Sequence, residues 1–195
     1  MLGLFKKKDP SKILKEATAA KKTGNIDEAI SLLRKAYKTI PRGPFDYDIK
    51  TFLRLPLYLQ EANRPEEAWD EFNNLLKKSS DEQSDYPELI PMSHSLIYDK
   101  MRLFSQREGR NTEAVKYGIF SHFSWATGLF LQKRNDEFKD CTTAETLENL
   151  VAGLLKKAKK ENLTNKLSNT LKHEIKNIPN IKFDSLGKCI ENVLQ

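Results

Sequence analysis

Apolar side chains recur at three- and four-residue intervals along most of the chain, and short polar segments separate the runs. The clearest run lies within residues 24–41 and places four apolar side chains on one helical face: Ala29, Leu32, Leu33 and Ala36. Gly24 and Asn25 precede this run as a turn, because both residue types tolerate positive φ. Pro41 follows it and cannot continue a helix. We predict a helix here, and its two alanines should let a neighbouring helix approach closely.

The combination of a turn and a following alanine occurs at three places in the chain. The three pairs are Gly24 with Ala29, the 62–65 turn with Ala68, and Gly109 with Ala114. Each turn joins two runs with helical periodicity, so we predict three antiparallel helix hairpins, spanning residues 11–40, 49–76 and 88–133. Polar, turn-rich loops at 41–48 and 77–87 should connect them. Pro56 should kink the first helix of the second hairpin, because it has no N–H to donate.

The first hairpin resembles a tetratricopeptide repeat (TPR) in its order of small and large residues. The positions that carry the resemblance are Ala17, Gly24, Ala29, Leu33, Ala36 and Pro41. The resemblance implies an all-α protein whose antiparallel hairpins stack as a short right-handed solenoid. It also implies a binding function, with a concave surface lined by the first helix of each hairpin.

The C-terminal part shows helical periodicity without the turn-plus-alanine pattern. Its runs lie at about 147–158, 163–177 and 184–194. The second helix of the third hairpin is apolar on nearly every side, so we expect it to be buried on two faces and covered by these later helices. The predicted organisation is a flexible N-terminus (1–10), three TPR-like hairpins (11–141) and C-terminal helices that pack on and cap the array (142–195).

Charge is distributed unevenly along the chain. The net charge is +6, and both ends are basic around an acidic middle. This distribution is typical of a surface that meets nucleic acid or anionic lipid, and equally of a lysine-rich solvated surface. The first possibility gives our alternative hypothesis, a nucleic-acid-binding protein that uses its basic terminal regions.

Cysteine usage and hydropathy bear on the compartment. The chain has two cysteines, Cys141 and Cys189, which lie far apart in sequence and show no metal-ligand spacing. We predict no disulfide framework, and a reducing cytoplasm fits this pattern. The N-terminus has no apolar run of signal-peptide length. The longest apolar-rich stretch, 117–131, is shorter than the roughly 20 residues that a spanning helix needs. We predict a cytoplasmic protein without a transmembrane segment.

No catalytic constellation is present in the sequence. The three histidines are scattered and fit no metal-binding or nucleophile–base pattern, and no phosphate-binding glycine loop occurs. We therefore expect no enzymatic activity, no cofactor and no metal. His122 lies between Phe120 and Phe123 in the apolar helix, where a buried histidine with a hydrogen-bond partner is favoured over a ligand or a base.

The TPR resemblance also nominates partner-binding residues on the first helix of each hairpin. They are Lys15, Thr18, Lys22, Lys50, Arg54, Tyr58, Lys100 and Leu103. Such a basic surface suits an acidic or carboxylate-bearing segment of a partner protein, held by charge-assisted hydrogen bonds. A solvated cationic surface without a dedicated ligand is the other interpretation. We therefore expect a protein-interaction scaffold, and the sequence leaves its partner and its oligomeric state open.

Overall fold

The computed structural model describes residues 9–40, 47–81, 86–178 and 180–195. Throughout these residues the regular elements are helices and no strand occurs, so the all-α prediction is confirmed. The chain divides into two compact units, residues 1–81 (unit 1) and 82–195 (unit 2). Most of the predicted flexible N-terminus and of the 41–48 loop, including Pro41, lies outside the described residues.

Unit 1 is built from two helix pairs. Its helices are α1 (Pro10–Lys22), α2 (Ile26–Tyr37), α3 (Ile49–Phe52), α4 (Arg54–Glu61) and α5 (Pro65–Asp81). The α1–α2 and α4–α5 pairs each pack together, and α2 also packs against α4. Four alanines of the predicted core are fully buried: Ala17, Ala29, Ala36 and Ala68. The prediction that small side chains face a neighbouring helix is therefore confirmed in this unit.

Two helix ends in unit 1 depend on single residues. The backbone is interrupted at Leu53, between α3 and α4, because Pro56 has no N–H to offer the carbonyl of Phe52. The predicted kink is therefore confirmed. Helix α5 runs five residues past its predicted end at residue 76. Ser79 is buried there, and its hydroxyl donates to the carbonyl of Leu75 at 2.9 Å, so the polar segment continues the helix without an unpaired group.

Unit 2 is organised around one long apolar helix. Its helices are α6 (Leu89–Arg107), α7 (Asn111–Leu131), α8 (Asn135–Cys141), α9 (Ala144–Ala158), α10 (Thr164–Glu174) and α11 (Phe183–Leu194), with short 3-10 turns at Glu161–Leu163 and Ile175–Asn177. Helices α6, α9 and α11 all pack against α7. Because α7 is covered from several directions, Ile119, Phe123 and Leu129 are almost completely buried.

Helix α11 packs on α7 through an aromatic contact. The ring centroid of Phe183 lies 5.1 Å from that of Phe120 on α7 and 5.7 Å from that of Tyr98 on α6. A Cβ atom at Gly187 would lie 3.1 Å from the Phe120 ring, so the absence of a side chain there allows this approach. An ion pair of 2.6 Å between Lys116 of α7 and Glu191 of α11 adds a polar contact between the same two helices.

The same turn ends five of the described helices. A residue with positive φ stands at the centre of each turn: Gly24, Asn63, Gly109, Lys133 and Lys159. In each case the next N–H donates to the carbonyl five residues earlier, at 2.8–3.0 Å, as in a Schellman helix end. The sequence predicted the first three of these turns and did not predict those at Lys133 and Lys159; because it missed the turn at Lys133, it also missed α8. The position occupied by alanine after the three predicted turns is Phe138 in α8 and Thr164 after Lys159.

Candidate functional site

Two rows of the predicted binding residues lie on unit 1. Lys15, Thr18 and Lys22 form the α1 row, with the spacing that aligns side chains along one side of a helix. Lys50, Arg54 and Tyr58 form the α3–α4 row, which stays aligned because the backbone remains in the right-handed helical region at the interruption between the two helices. The outer members Lys15, Lys22 and Lys50 are exposed.

The Arg54 guanidinium joins the two rows. Its Nη2 donates to Thr18 Oγ1 at 2.9 Å and to the carbonyl of Leu14 at 3.3 Å. Thr18 Oγ1 in turn donates to the same carbonyl at 3.0 Å. These bonds hold the arginine between α1 and α4, and the three exposed lysines belong to the same two rows. We name Lys15, Lys22, Lys50 and Arg54 the basic face.

Tyr58 contacts the Arg54 guanidinium of the basic face through its aromatic ring. It is only 8% exposed, and its ring lies 4.7 Å from the Lys21 ammonium and 5.7 Å from the Arg54 guanidinium carbon. Two cations over one aromatic ring are each attracted by its negative face. Lys21 also pairs with Glu61 at 2.8 Å, which offsets part of this charge. Tyr58 therefore positions Arg54 and presents little surface of its own.

The last two of the eight predicted partner-binding residues lie in unit 2. Lys100 and Leu103 are both half-buried on α6. The Lys100 ammonium lies 3.5 Å from the Asp99 carboxylate, so part of its charge is already compensated. The structure therefore brings six of the eight predicted residues together in unit 1 and leaves these two on a separate unit.

A second cationic surface, on α2, was not predicted. Here a hollow of about 520 Å³ is lined by residues that include Arg34, Lys35, Lys38 and Arg64. Arg34 and Arg64 share the Glu67 carboxylate, at 2.7 and 2.6 Å. Their hydrogen bonds lower the pKa of Glu67 to about 2. Asp27, which also lines the hollow, lies 3.5 Å from Arg64, so two carboxylates compensate the two arginines. The remaining exposed positive charge of the hollow comes from the two lysines. The sequence shows that Arg34 and Lys38 lie one helical turn apart on α2. It does not show that Arg64, from a later part of the chain, lies beside them.

A groove of about 510 Å³ runs along α7 in unit 2, between α6 and α9. Gly118, Ser121, His122 and Trp125 of α7 line it at helical spacing. Trp125 is 41% exposed, although the apolar residues on nearly every side of this helix gave no sign of an open side at this position. Its side of α7 faces the gap between the two neighbouring helices, and periodicity alone could not distinguish that gap from a packed contact.

His122 has a backbone partner, as its position in the apolar helix predicted. Its Nε2 lies 2.8 Å from the carbonyl oxygen of Cys141. Because a carbonyl only accepts, Nε2 carries the proton and Nδ1 is the free acceptor. Burial lowers the pKa of His122, and the bond to Cys141 opposes this shift only in part. The ring is therefore neutral at pH 7, and the bond fixes its tautomer.

Metal-ligating groups do not cluster within the described ranges, where no set of three His, Cys, Asp or Glu side chains converges. Among the helices described, none combines the length and the apolar character needed to cross a bilayer.

Comparison of the chain with protein-family models, with curated proteins and with solved structures gives no match.

Proposed function

We propose that the protein is a TPR-like cytoplasmic interaction scaffold that binds an acidic segment of a partner protein on the basic face of unit 1. The observation that carries this proposal is the Arg54 bridge between α1 and α4. It holds one cation at the junction of two helices, and Lys15, Lys22 and Lys50 of the same two rows are exposed.

Carboxylates of a partner would bind this face through charge-assisted hydrogen bonds. Each exposed ion pair contributes little, so affinity requires several at once. Because these charges are exposed, salt should weaken the complex and slow its formation. An extended or helical segment with several Glu or Asp residues matches these requirements.

The test is the binding of a fluorescently labelled peptide of alternating Glu and Leu, measured by anisotropy at low and physiological salt. The triple variant Lys15→Glu, Lys22→Glu, Lys50→Glu should weaken binding on the order of tenfold. A matched triple variant carries the same charge change on other exposed positions of unit 1: Lys35→Glu, Lys38→Glu and Lys77→Glu. It should bind more tightly than the first variant.

Two results would overturn the proposal. One is equal weakening by both triple variants, which would show that only net charge matters. The other is tighter binding of a single-stranded RNA of equal charge, lost with the same three lysines, which would assign the face to nucleic acid. Circular dichroism of each variant establishes that the helices remain folded.

A further inference from the structure

Unit 2 contains an apolar hollow of about 570 Å³, and its described lining shares no residue with the basic face of unit 1. It is formed where α7, α8, α9 and the end of α10 meet. Its apolar lining includes Phe130, Phe138, Leu147, Ile175 and Ile178. We name it the Phe138 hollow. Its volume falls within the roughly 300–1,000 Å³ of small-molecule sites, and a mostly apolar lining is typical of them.

Helix α8 places an aromatic side chain beside the hollow. At the position that alanine occupies after the Gly24, Asn63 and Gly109 turns, α8 carries Phe138. The rings of Phe130 and Phe138 meet edge to face at 5.4 Å. No residue of α8 is buried, and Phe130 is 42% exposed. The described structure therefore leaves aromatic surface of both rings in contact with water.

The rim of the hollow carries positive charge. Lys172 and Lys176, one helical turn apart, line it together with the hydroxyl-bearing Thr142. None of the described lining residues is acidic. Lys172 pairs with Glu148, which stands outside the lining and holds the ammonium at the rim. An ammonium has three donors, so this pair leaves two of them for a bound anion.

We propose that the Phe138 hollow binds a small amphiphilic carboxylate, namely a free fatty acid of medium chain length. The tail lies against Phe130, Phe138 and the two isoleucines, where it removes apolar surface from water. The carboxylate meets Lys172 and Lys176 at the rim. The described lining contains two ammonium groups and no carboxylate, and only Lys172 has an acidic partner, Glu148. This arrangement favours a carboxylate over an amine-bearing ligand of the same size.

Isothermal titration calorimetry of the full chain tests whether the alkyl tail enters the hollow. The ligands are hexanoate, octanoate and decanoate, each below its micelle-forming concentration. Each added methylene that enters the hollow should tighten binding by about fourfold. The alcohol decanol, which has the same tail but no charge, should bind about fivefold or more weakly than decanoate. Equal affinity for decanoate and decanol would overturn the role of the lysines.

Two variants test the location of the site. Lys172→Gln with Lys176→Gln should reduce decanoate affinity to that of decanol, whereas Lys166→Gln, an exposed lysine of α10 away from the lining, should leave it unchanged. Ala144→Trp places an indole at an exposed position of the lining and should abolish binding of both compounds.

The same variants distinguish the Phe138 hollow from binding elsewhere on the protein. Binding that survives both Ala144→Trp and the double lysine variant would place the ligand at a different position and overturn the proposal. Binding to anionic lipid vesicles without binding to monomeric decanoate would overturn it as well. The charge reversals on the basic face of unit 1 should leave decanoate affinity unchanged, so this proposal and the partner-binding proposal fail independently.

Discussion

Replacing Gly118 with alanine tests how closely α9 packs against α7. A Cβ atom at Gly118 would lie 2.5 and 2.9 Å from the two methyl carbons of Leu154 on α9, and 3.1 Å from Cδ of Arg102 on α6. Carbon atoms in contact prefer about 3.5–4.0 Å, so the Leu154 side chain or α9 itself must move by roughly 1 Å. Overpacking of this kind costs about 1–3 kcal/mol.

Gly153 on α9 provides the matched control. A Cβ atom there would meet nothing within 4 Å. Both substitutions gain the same helix propensity, about 0.8–1 kcal/mol. Gly153→Ala should therefore stabilise unit 2 by about that amount, whereas Gly118→Ala should be between neutral and about 2 kcal/mol destabilising. The difference between the two variants, about 1–3 kcal/mol, isolates the packing cost because the propensity gain cancels.

Urea unfolding followed by tryptophan fluorescence measures this difference. The chain has two tryptophans, Trp69 in unit 1 and Trp125 in unit 2. The Trp69→Phe background therefore leaves Trp125 as a reporter on unit 2. Equal free energies of unfolding for the two alanine variants would refute the close contact between α7 and α9 at Gly118.

Four further outcomes follow from burial, backbone geometry and titration. Phe72→Ala should lower the free energy of unfolding of unit 1 by about 3–5 kcal/mol, because the fully buried ring leaves a cavity; urea unfolding followed by Trp69 fluorescence measures it. Lys133→Gly should raise stability by about 1 kcal/mol in thermal unfolding, because Lys133 has a φ of 58°. The arginines beside Glu67 lower its pKa from 4.5 to about 2, so Glu67 stabilises the fold above pH 4.5 and this contribution is lost as the pH falls from 4.5 towards 2. Glu67→Gln should flatten that part of a stability–pH curve. Burial raises the pKa of Tyr98 to about 12, and Tyr98→Phe should remove one ionisation near that pH from an ultraviolet titration.

The predicted binding residues show which features helical spacing can predict and which it cannot. The TPR resemblance, together with helical spacing, assigned Lys15, Thr18 and Lys22 to one row of α1, and Lys50 and Arg54 to a row of the next pair. The bond from Arg54 to Thr18 joins these rows across 36 positions of sequence. Sequence spacing carries no information about that distance, because it depends on how closely α1 and α4 approach.

The residues that the sequence missed are those whose role depends on a neighbour from elsewhere in the chain. Trp125 and Phe123 both belong to the apolar run of α7. Trp125 lines the groove, whereas Phe123 lies in the packed core. Phe138 looks like an ordinary apolar residue of a short segment, and only the structure shows that its ring meets that of Phe130 and lines a hollow.

The sequence by itself determined most of the helices and the three turns at Gly24, Asn63 and Gly109. These features depend on contacts within about five residues, such as the cap that Asp9 provides for α1 or the positive φ of Gly24. The tertiary structure decided which helix faces are covered, which cations are compensated and where cavities remain. Those outcomes depend on the summed volumes and charges of side chains from separate helices, which the local pattern of any one helix does not contain.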